Sequence, residues 1–267
     1  GGTLDVTEVT VTYKEEYKLP VPVSKSLDKV FGGWYAEPNG VGQYTDGDGY
    51  GKGLWTGTDN DITLYAYWVS TLNYTLDNSG TGYIVTEGEG IAYATKVRVE
   101  PTHENKPVKS IDSLAGAGRL QSIEIPDTVD VAKGMMAGVK SSVFADCPVL
   151  EAINVYATGD TAKTASFDGV LYVLDEESSG KTLSLVPLAK SGNIKVMEGT
   201  TAIAAYAFSD IGVKEIEIPS TVTRVGAKAF ENCAELEKVE FSVADEGETP
   251  AELVVEDGAF ANCANLT

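Results

Sequence analysis

The sequence predicts a mainly β protein: a small aromatic-rich β domain over residues 1–70, then a repeat solenoid with short helical turns over residues 71–267. Two observations carry this. Taking Phe230 as position zero, apolar residues follow at +3, +6, +9 and +11 (Cys233, Leu236, Val239, Phe241). The same offsets recur from Phe144 and Leu114, partly from Phe260, and from Phe208 with one residue deleted. Self-similarity at 22 to 30 residues is the mark of stacked units that cannot bury an apolar face alone. Upstream, short alternating stretches frame a glycine-rich middle, and the 28 glycines of the chain suit many turns.

In the first seventy residues, Val9-Thr-Val-Thr-Tyr13 alternates and reads as a half-buried strand. Pro20 and Pro22 break any helix. Val30-Phe-Gly-Gly-Trp-Tyr35 is a compact aromatic–glycine cluster, and Asp61 to Trp68 alternates so that Ile62, Leu64, Ala66 and Trp68 share a face. Three strands carrying large aromatics can bury a small core.

From residue 72 the chain reads as a hairpin (Leu72, Tyr74 and Leu76, a turn at Asn78-Ser-Gly80, a return through Tyr83–Val85), then a strand at Val97–Val99, then entry into the repeat register at Pro107–Leu114. Phe208 to Phe230 spans 22 residues, the minimal coil, while Leu114 to Phe144 and Phe230 to Phe260 span 30. The additions fall near 131–138 and 244–253 and predict projecting loops. The 64 residues from Phe144 to Phe208 hold two enlarged coils, with a hairpin across 175–181. Each coil supplies one strand at its Ile-x-Ile positions and a second near Val222–Val225. Its Ala-Phe-x-x-Cys box makes a tight helical turn whose Phe fills the interior.

Two family resemblances follow from these residues. Phe31-Gly-Gly-Trp-Tyr35 with Asp61–Trp68 resembles the Listeria–Bacteroides repeat, also called the internalin B-repeat; Tyr44–Gly53 between them is longer and richer in glycine than that pattern. The resemblance implies a small β-grasp-like fold in an extracellular bacterial protein. Ile216–Cys233 resembles the consensus of the BspA-type leucine-rich repeat nearly throughout, and Phe167-Asp-Gly-Val-Leu-Tyr172 resembles an insert of that family. Leu114–Gly118 and Met197–Gly199 depart from it. This second resemblance covers roughly residues 72–267 and implies a bacterial surface-repeat protein.

The chemistry is read mostly by exclusion. A net charge of −20 repels phosphates and anionic lipid headgroups, so neither nucleic acid nor a membrane surface is an expected partner. No run of about 18 apolar residues spans a membrane. The Gly-Gly start and the end inside a repeat suggest a trimmed piece of a longer protein, so missing signal and anchor segments say nothing; a secreted, cell-surface location is what the two resemblances imply. Cys147, Cys233 and Cys263 share one repeat position and read as buried free thiols, with a Cys233–Cys263 bridge and a metal or catalytic thiol as alternatives. The single histidine, His103, reads as a solvated loop residue, leaving no catalytic triad. No phosphate-loop or dinucleotide motif points to a cofactor, and nothing singles out a pair among the 40 acidic residues. The expectation is a protein that is not an enzyme and has no cofactor.

Asp46-x-Asp48-Gly resembles the start of a calcium loop, but the twelfth position is Gly57 where a bidentate Glu is needed, so it reads as an Asp/Gly turn. Tyr44, Tyr50 and Trp55 read as core or rim packing, with a sugar-stacking surface as the alternative. The register names one outward strip: Ser122, Ala152, Glu215 and Lys238 at +8, and Glu124, Asn154, Glu217 and Glu240 at +10. It reads either as a solvated face or as a strip for a basic protein partner. Three functional expectations stand: a surface interaction protein, a spacer displaying another domain, and a glycan-binding module.

Overall fold

The computed structural model describes residues 1–6, 8–57, 62–131, 143–175, 180–242 and 252–267. Among them the architecture is mainly β, and the helical content is a single 3₁₀ turn, Ile91–Tyr93.

Gly2–Thr3 (β1) pairs with Val23–Ser24 (β2), and Lys29–Tyr35 (β3) pairs antiparallel with Tyr65–Ser70 (β4). The aromatic–glycine cluster therefore forms a strand, and its two glycines have separate reasons. Gly33 sits at φ +137, where a Cβ would lie 2.2 Å from the Thr45 carbonyl; at Gly32 the Val69 side chain closes to 2.9 Å. The ladder slips register between Phe31 and Gly33. Phe31 packs edge-on to Trp34 and Trp68, and the Trp34 indole donates to the Pro20 carbonyl at 2.8 Å. The strand expected at Val9–Tyr13 does not form: Val9 and Tyr13 are exposed, and no strand pairs with this stretch. Alternation alone supplies no hydrogen-bonding partner. Asp61 lies outside the described residues, and the strand of the Asp61–Trp68 motif begins only at Tyr65.

Only Thr71 separates β4 from Leu72–Leu76 (β5), which forms the expected hairpin with Tyr83–Glu87 (β6) around Gly80 at φ +68. Beyond Lys96–Arg98 (β7) and Thr102–His103 (β8), Lys106–Ile111 (β9) pairs parallel with β6. Ser122–Pro126 (β10) lies parallel between β7 and Ala152–Tyr156 (β11). Thr164–Phe167 (β12), Val170–Leu174 (β13) and Lys181–Leu185 (β14) then run antiparallel, as the hairpin across 175–181 requires, with 176–179 outside the described residues.

Each later repeat contributes two strands: Ile194–Lys195 (β15) and Thr200–Ile203 (β16), Glu215–Ile218 (β17) and Arg224–Val225 (β18), Lys238–Phe241 (β19) and Val254–Val255 (β20). The first of each pair builds the parallel ladder β15-β17-β19; the second extends β14 into β16-β18-β20. The register is the one the spacing demands: Ile216 faces Val239, and Ile203 faces Val225. Leu114, Ala117, Leu120, Ile123 and Ile125 are fully buried, as are Phe208, Phe230, Cys233 and Leu236. They belong to two cores that adjoin at Val170 and Leu171, on β13. Phe241 departs from its expected interior role. It is 42% exposed, because β19 is the outer strand of its ladder. The expected loops at 132–138 and 244–251 lie outside the described residues.

The Ala-Phe-x-x-Cys boxes form successive turns with i→i−3 bonds, such as Ala229 N–H to the Gly226 carbonyl (3.2 Å) and Cys233 N–H to the Phe230 carbonyl (3.3 Å). Around Phe208, Phe230 and Phe260, the residues two before and two after the Phe adopt positive φ: Tyr206 and Asp210, Lys228 and Asn232, Gly258 and Asn262. This alternation turns every second amide the same way. The Phe208 N–H donates to the Ala229 carbonyl at 2.7 Å, and the Phe230 N–H to the Ala259 carbonyl at 2.7 Å. Inside the column, Phe208, Phe230 and Phe260 stack face to face at 4.6 and 4.8 Å.

Candidate binding strip

The parallel ladders place the sequence-predicted strip residues side by side. In β10–β11, Ser122 lies opposite Ala152 and Glu124 opposite Asn154; in β17–β19, Glu215 lies opposite Lys238 and Glu217 opposite Glu240. These are two patches on two separate sheets, because the β12–β14 hairpins interrupt the stack between β11 and β15. Ser122 and Glu124 are half-buried, whereas Asn154, Glu215, Glu217, Lys238 and Glu240 are exposed.

Neither patch is a bare acidic column. In the first, Arg98 reaches Glu124 at 2.7 Å and Glu100 at 3.3 Å, and its guanidinium lies 4.2 Å from the centre of the Tyr156 ring. The Tyr156 hydroxyl donates to the Val99 carbonyl at 2.6 Å, which fixes the ring. In the second, Lys195 approaches Glu217 at 3.5 Å, Lys238 pairs with Glu240, and the Asn193 amide donates to Glu215 at 2.8 Å. Hydrogen bonding to Glu240 raises the Lys238 ammonium above its ordinary pKa. Glu217 and Glu240, directly opposite each other, would otherwise repel. Sequence reasoning missed Arg98, Lys195 and Tyr156, although the signal was present: Arg98 pairs with Glu124 and Lys195 with Glu217, each one repeat upstream.

Residues 189–267 match the BspA type leucine rich repeat region, in six copies. The BspA-type segment thus contains β15 to β20 and the acidic patch. No curated protein matches the chain. Among solved structures, a leucine-rich repeat protein of T. pallidum is 20% identical, covering 73% of this chain and 77% of that one at a TM-score of 0.43. A leucine-rich cell surface protein of Faecalibacterium prausnitzii is 15% identical, covering 79% and 82% at 0.37. A leucine-rich repeat protein of Bacteroides ovatus is 23% identical, covering 73% and 44% at 0.44.

The remaining candidates resolve as follows. All three cysteines are free; Cys147 and Cys233 are buried and Cys263 half-buried. Within the BspA-type segment the Cys233 thiol donates to the Phe208 carbonyl at 2.9 Å, and the Cys263 thiol to the Phe230 carbonyl at 3.1 Å, so each ties its box to the preceding one. Burial pushes the Cys147 and Cys233 thiols up to about 12. His103 is not a solvated loop residue: it lies on β8, stacked on Tyr74 at 4.3 Å and edge-on to Tyr83 at 4.7 Å. Tyr83 in turn donates to Glu104 at 2.6 Å.

Among the described residues no group of three or more His, Cys, Asp or Glu is placed to hold a metal ion. Asp46 instead accepts the Asp48 and Tyr50 N–H groups at 3.0 and 2.9 Å, a side-chain-capped turn. Asp48 forms a two-point pair with Arg119 at 2.6 and 2.8 Å, linking this hairpin to the Leu114 repeat. Tyr44 and Trp55 pack on each other at 5.6 Å, while Tyr50 stays 55% exposed. Among the described residues no helix is long and apolar enough to cross a membrane.

Proposed function

We propose that the chain is a non-enzymatic bacterial cell-surface interaction protein, in which residues 71–267 form a leucine-rich-repeat solenoid that adheres to proteins of a host or neighbouring cell, and residues 1–70 form a β-grasp-like accessory module. The observation that carries this is the acidic patch of the BspA-type segment. Glu215, Glu217 and Glu240 stand exposed on a parallel ladder, Glu217 and Glu240 held by exposed pairs to Lys195 and Lys238 and Glu215 by the Asn193 amide. Exposed pairs add little stability, so a basic partner surface can exchange with Lys195 and Lys238 at small cost. The strands beneath fix the spacing of the carboxylates, which favours register and on-rate more than raw affinity.

The test is a pull-down and titration against basic extracellular-matrix and bacterial surface proteins, comparing the parent with Glu217→Lys/Glu240→Lys. The expected result is weaker binding with a flatter dependence on salt. Equal affinity of the two proteins for a partner that does bind would remove the patch from the interface. Absence of any protein partner would favour the alternative, a spacer that displays another domain.

A further inference from the structure

The N-terminal domain carries a cleft that is independent of the acidic patch. Its volume is about 380 Å³ and it is lined by Glu16, Tyr17, Tyr50, Lys52 and Leu54 together with Gly51 and Gly53. Small-molecule sites typically occupy roughly 300–1,000 Å³ and combine apolar walls with a few polar groups.

Three features separate this cleft from an accidental groove. The Tyr50 ring is exposed, yet its backbone is held: its N–H donates to Asp46 Oδ1 at 2.9 Å, its carbonyl accepts the Asp46 N–H at 2.9 Å, and it bridges Lys18. The wall behind it is an aromatic stack, with Tyr17 edge-on to Trp55 at 5.1 Å, Tyr44 on Trp55, and the Tyr17 hydroxyl donating to the Tyr44 carbonyl at 2.7 Å. Gly51 keeps the cleft in shape, because a Cβ there would lie 2.5 Å from the Tyr17 ring. The Lys18 ammonium lies over the Tyr50 ring, 4.2 Å from its centre.

We propose that this cleft binds a neutral pyranose oligosaccharide, with Tyr50 as the stacking platform. A sugar ring has an apolar C–H face and a rim of hydroxyls. An exposed phenol on a held backbone matches the face, and Glu16 as acceptor with Lys52 as donor matches the rim. The lining holds one negative and one positive side chain, so it offers no net charge to an ionic ligand, and the −20 charge of the chain disfavours an anionic glycan. Because the hairpin is already ordered, little conformational entropy is lost on binding. Tyr44 and Trp55 serve as the wall behind the cleft.

The experiment is native electrophoresis of the full chain through gels containing galactomannan, xyloglucan or yeast mannan, with alginate as the anionic control. Retardation by at least one neutral polymer is expected, persisting at about 0.5 M salt because no ionic contact dominates. Tyr50→Ala should weaken it at least about tenfold, as loss of one stacked ring does elsewhere, and Tyr50→Phe should retain it. Tyr50→Leu, which keeps bulk and removes the ring, serves as a second variant if Tyr50→Ala fails to fold. Glu217→Lys/Glu240→Lys should migrate with unchanged retardation, which separates this site from the acidic patch. Retardation by none of the neutral polymers, by alginate alone, or to an equal extent in folded Tyr50→Ala or Tyr50→Leu would overturn the proposal.

Discussion

Replacing Phe230 with Ala probes how much of the stability comes from stacking between repeats. The ring is fully buried and lies between two others, 4.6 Å from Phe208 and 4.8 Å from Phe260. A buried aromatic covers roughly 150–250 Å², which at about 25 cal/mol per Å² is worth ~4–6 kcal/mol. Two face-to-face pairs add ~1–3 kcal/mol. Alanine keeps the Cβ and neighbours relax into part of the space, which brings the expected loss to ~3–5 kcal/mol. The assay is urea unfolding followed by far-UV circular dichroism, with Phe241→Ala as internal control. Phe241 stands in the same repeat motif but is 42% exposed, so its truncation should cost less than about 1 kcal/mol. A loss below about 1 kcal/mol at Phe230, or equal losses at the two sites, would refute the claim that the phenyl column holds the repeats together.

Three further outcomes are expected. Gly226→Ala should destabilise by ~1–3 kcal/mol in the same assay, because its Cβ would lie 2.6 Å from the Ala205 backbone nitrogen of the adjacent repeat; an unchanged midpoint would show that the repeats can separate freely. Cys147 and Cys233, with thiols pushed up to about 12, should resist a disulfide reagent at pH 8 in the native protein while half-buried Cys263 reacts first; rapid labelling of all three would contradict the buried assignment. The Asp48–Arg119 pair is partly exposed, so a double-mutant cycle should give only ~0.5–1 kcal/mol. Hydrogen bonding to Arg119 lowers the Asp48 pKa. The coupling is therefore present above the ordinary carboxylate pKa and should fade as pH falls below about 4; coupling that persists once Asp48 is protonated would rule out the ion pair as its source.

How much of this was legible in the sequence depends on what each residue needed. Apolar offsets from Phe230 located both ladders and the interior phenylalanines, because one repeat position faces the same neighbours in every unit. Alternation at Val9–Tyr13 misled, since a strand needs a partner as well as a pattern, and the partner is a long-range fact. The strip was named residue by residue but read as continuous, because the offsets do not register that the β12–β14 hairpins divide the stack. The cations that offset it were readable in principle, since Arg98 and Lys195 sit at the same position one repeat upstream. The Asp48–Arg119 link spans 71 residues between unrelated motifs and left no local trace. In the Tyr44–Trp55 loop the aromatics were named without their roles: composition does not distinguish the exposed Tyr50 from Tyr44 and Trp55, which pack on each other.

The positive-φ alternation explains why units of unequal length stack without strain. Phe208 and Phe230 are 22 residues apart, Phe230 and Phe260 are 30, yet both inter-repeat bonds from the Phe N–H measure 2.7 Å. Seven of the eight extra residues fall between β19 and β20 and one between Cys233 and β19, all outside the box, so the column does not register them. What the boxes around Phe208, Phe230 and Phe260 do require is a residue that tolerates left-handed backbone two places after the Phe. Asp210, Asn232 and Asn262 fill that place, and Asn and Asp are the side chains that accept it most readily after Gly. They also link laterally: Asn232 donates to Asp210 at 3.0 Å and Asn262 to Asn232 at 2.8 Å. In the Leu114 repeat, where the box is degenerate, Gly116 takes the same place at φ +75. The backbone requirement is thus stricter than the side-chain one, so Asn232→Val, which removes the side-chain bonds and disfavours the left-handed turn, should cost more stability than Asn232→Gly, which removes the bonds and keeps the turn.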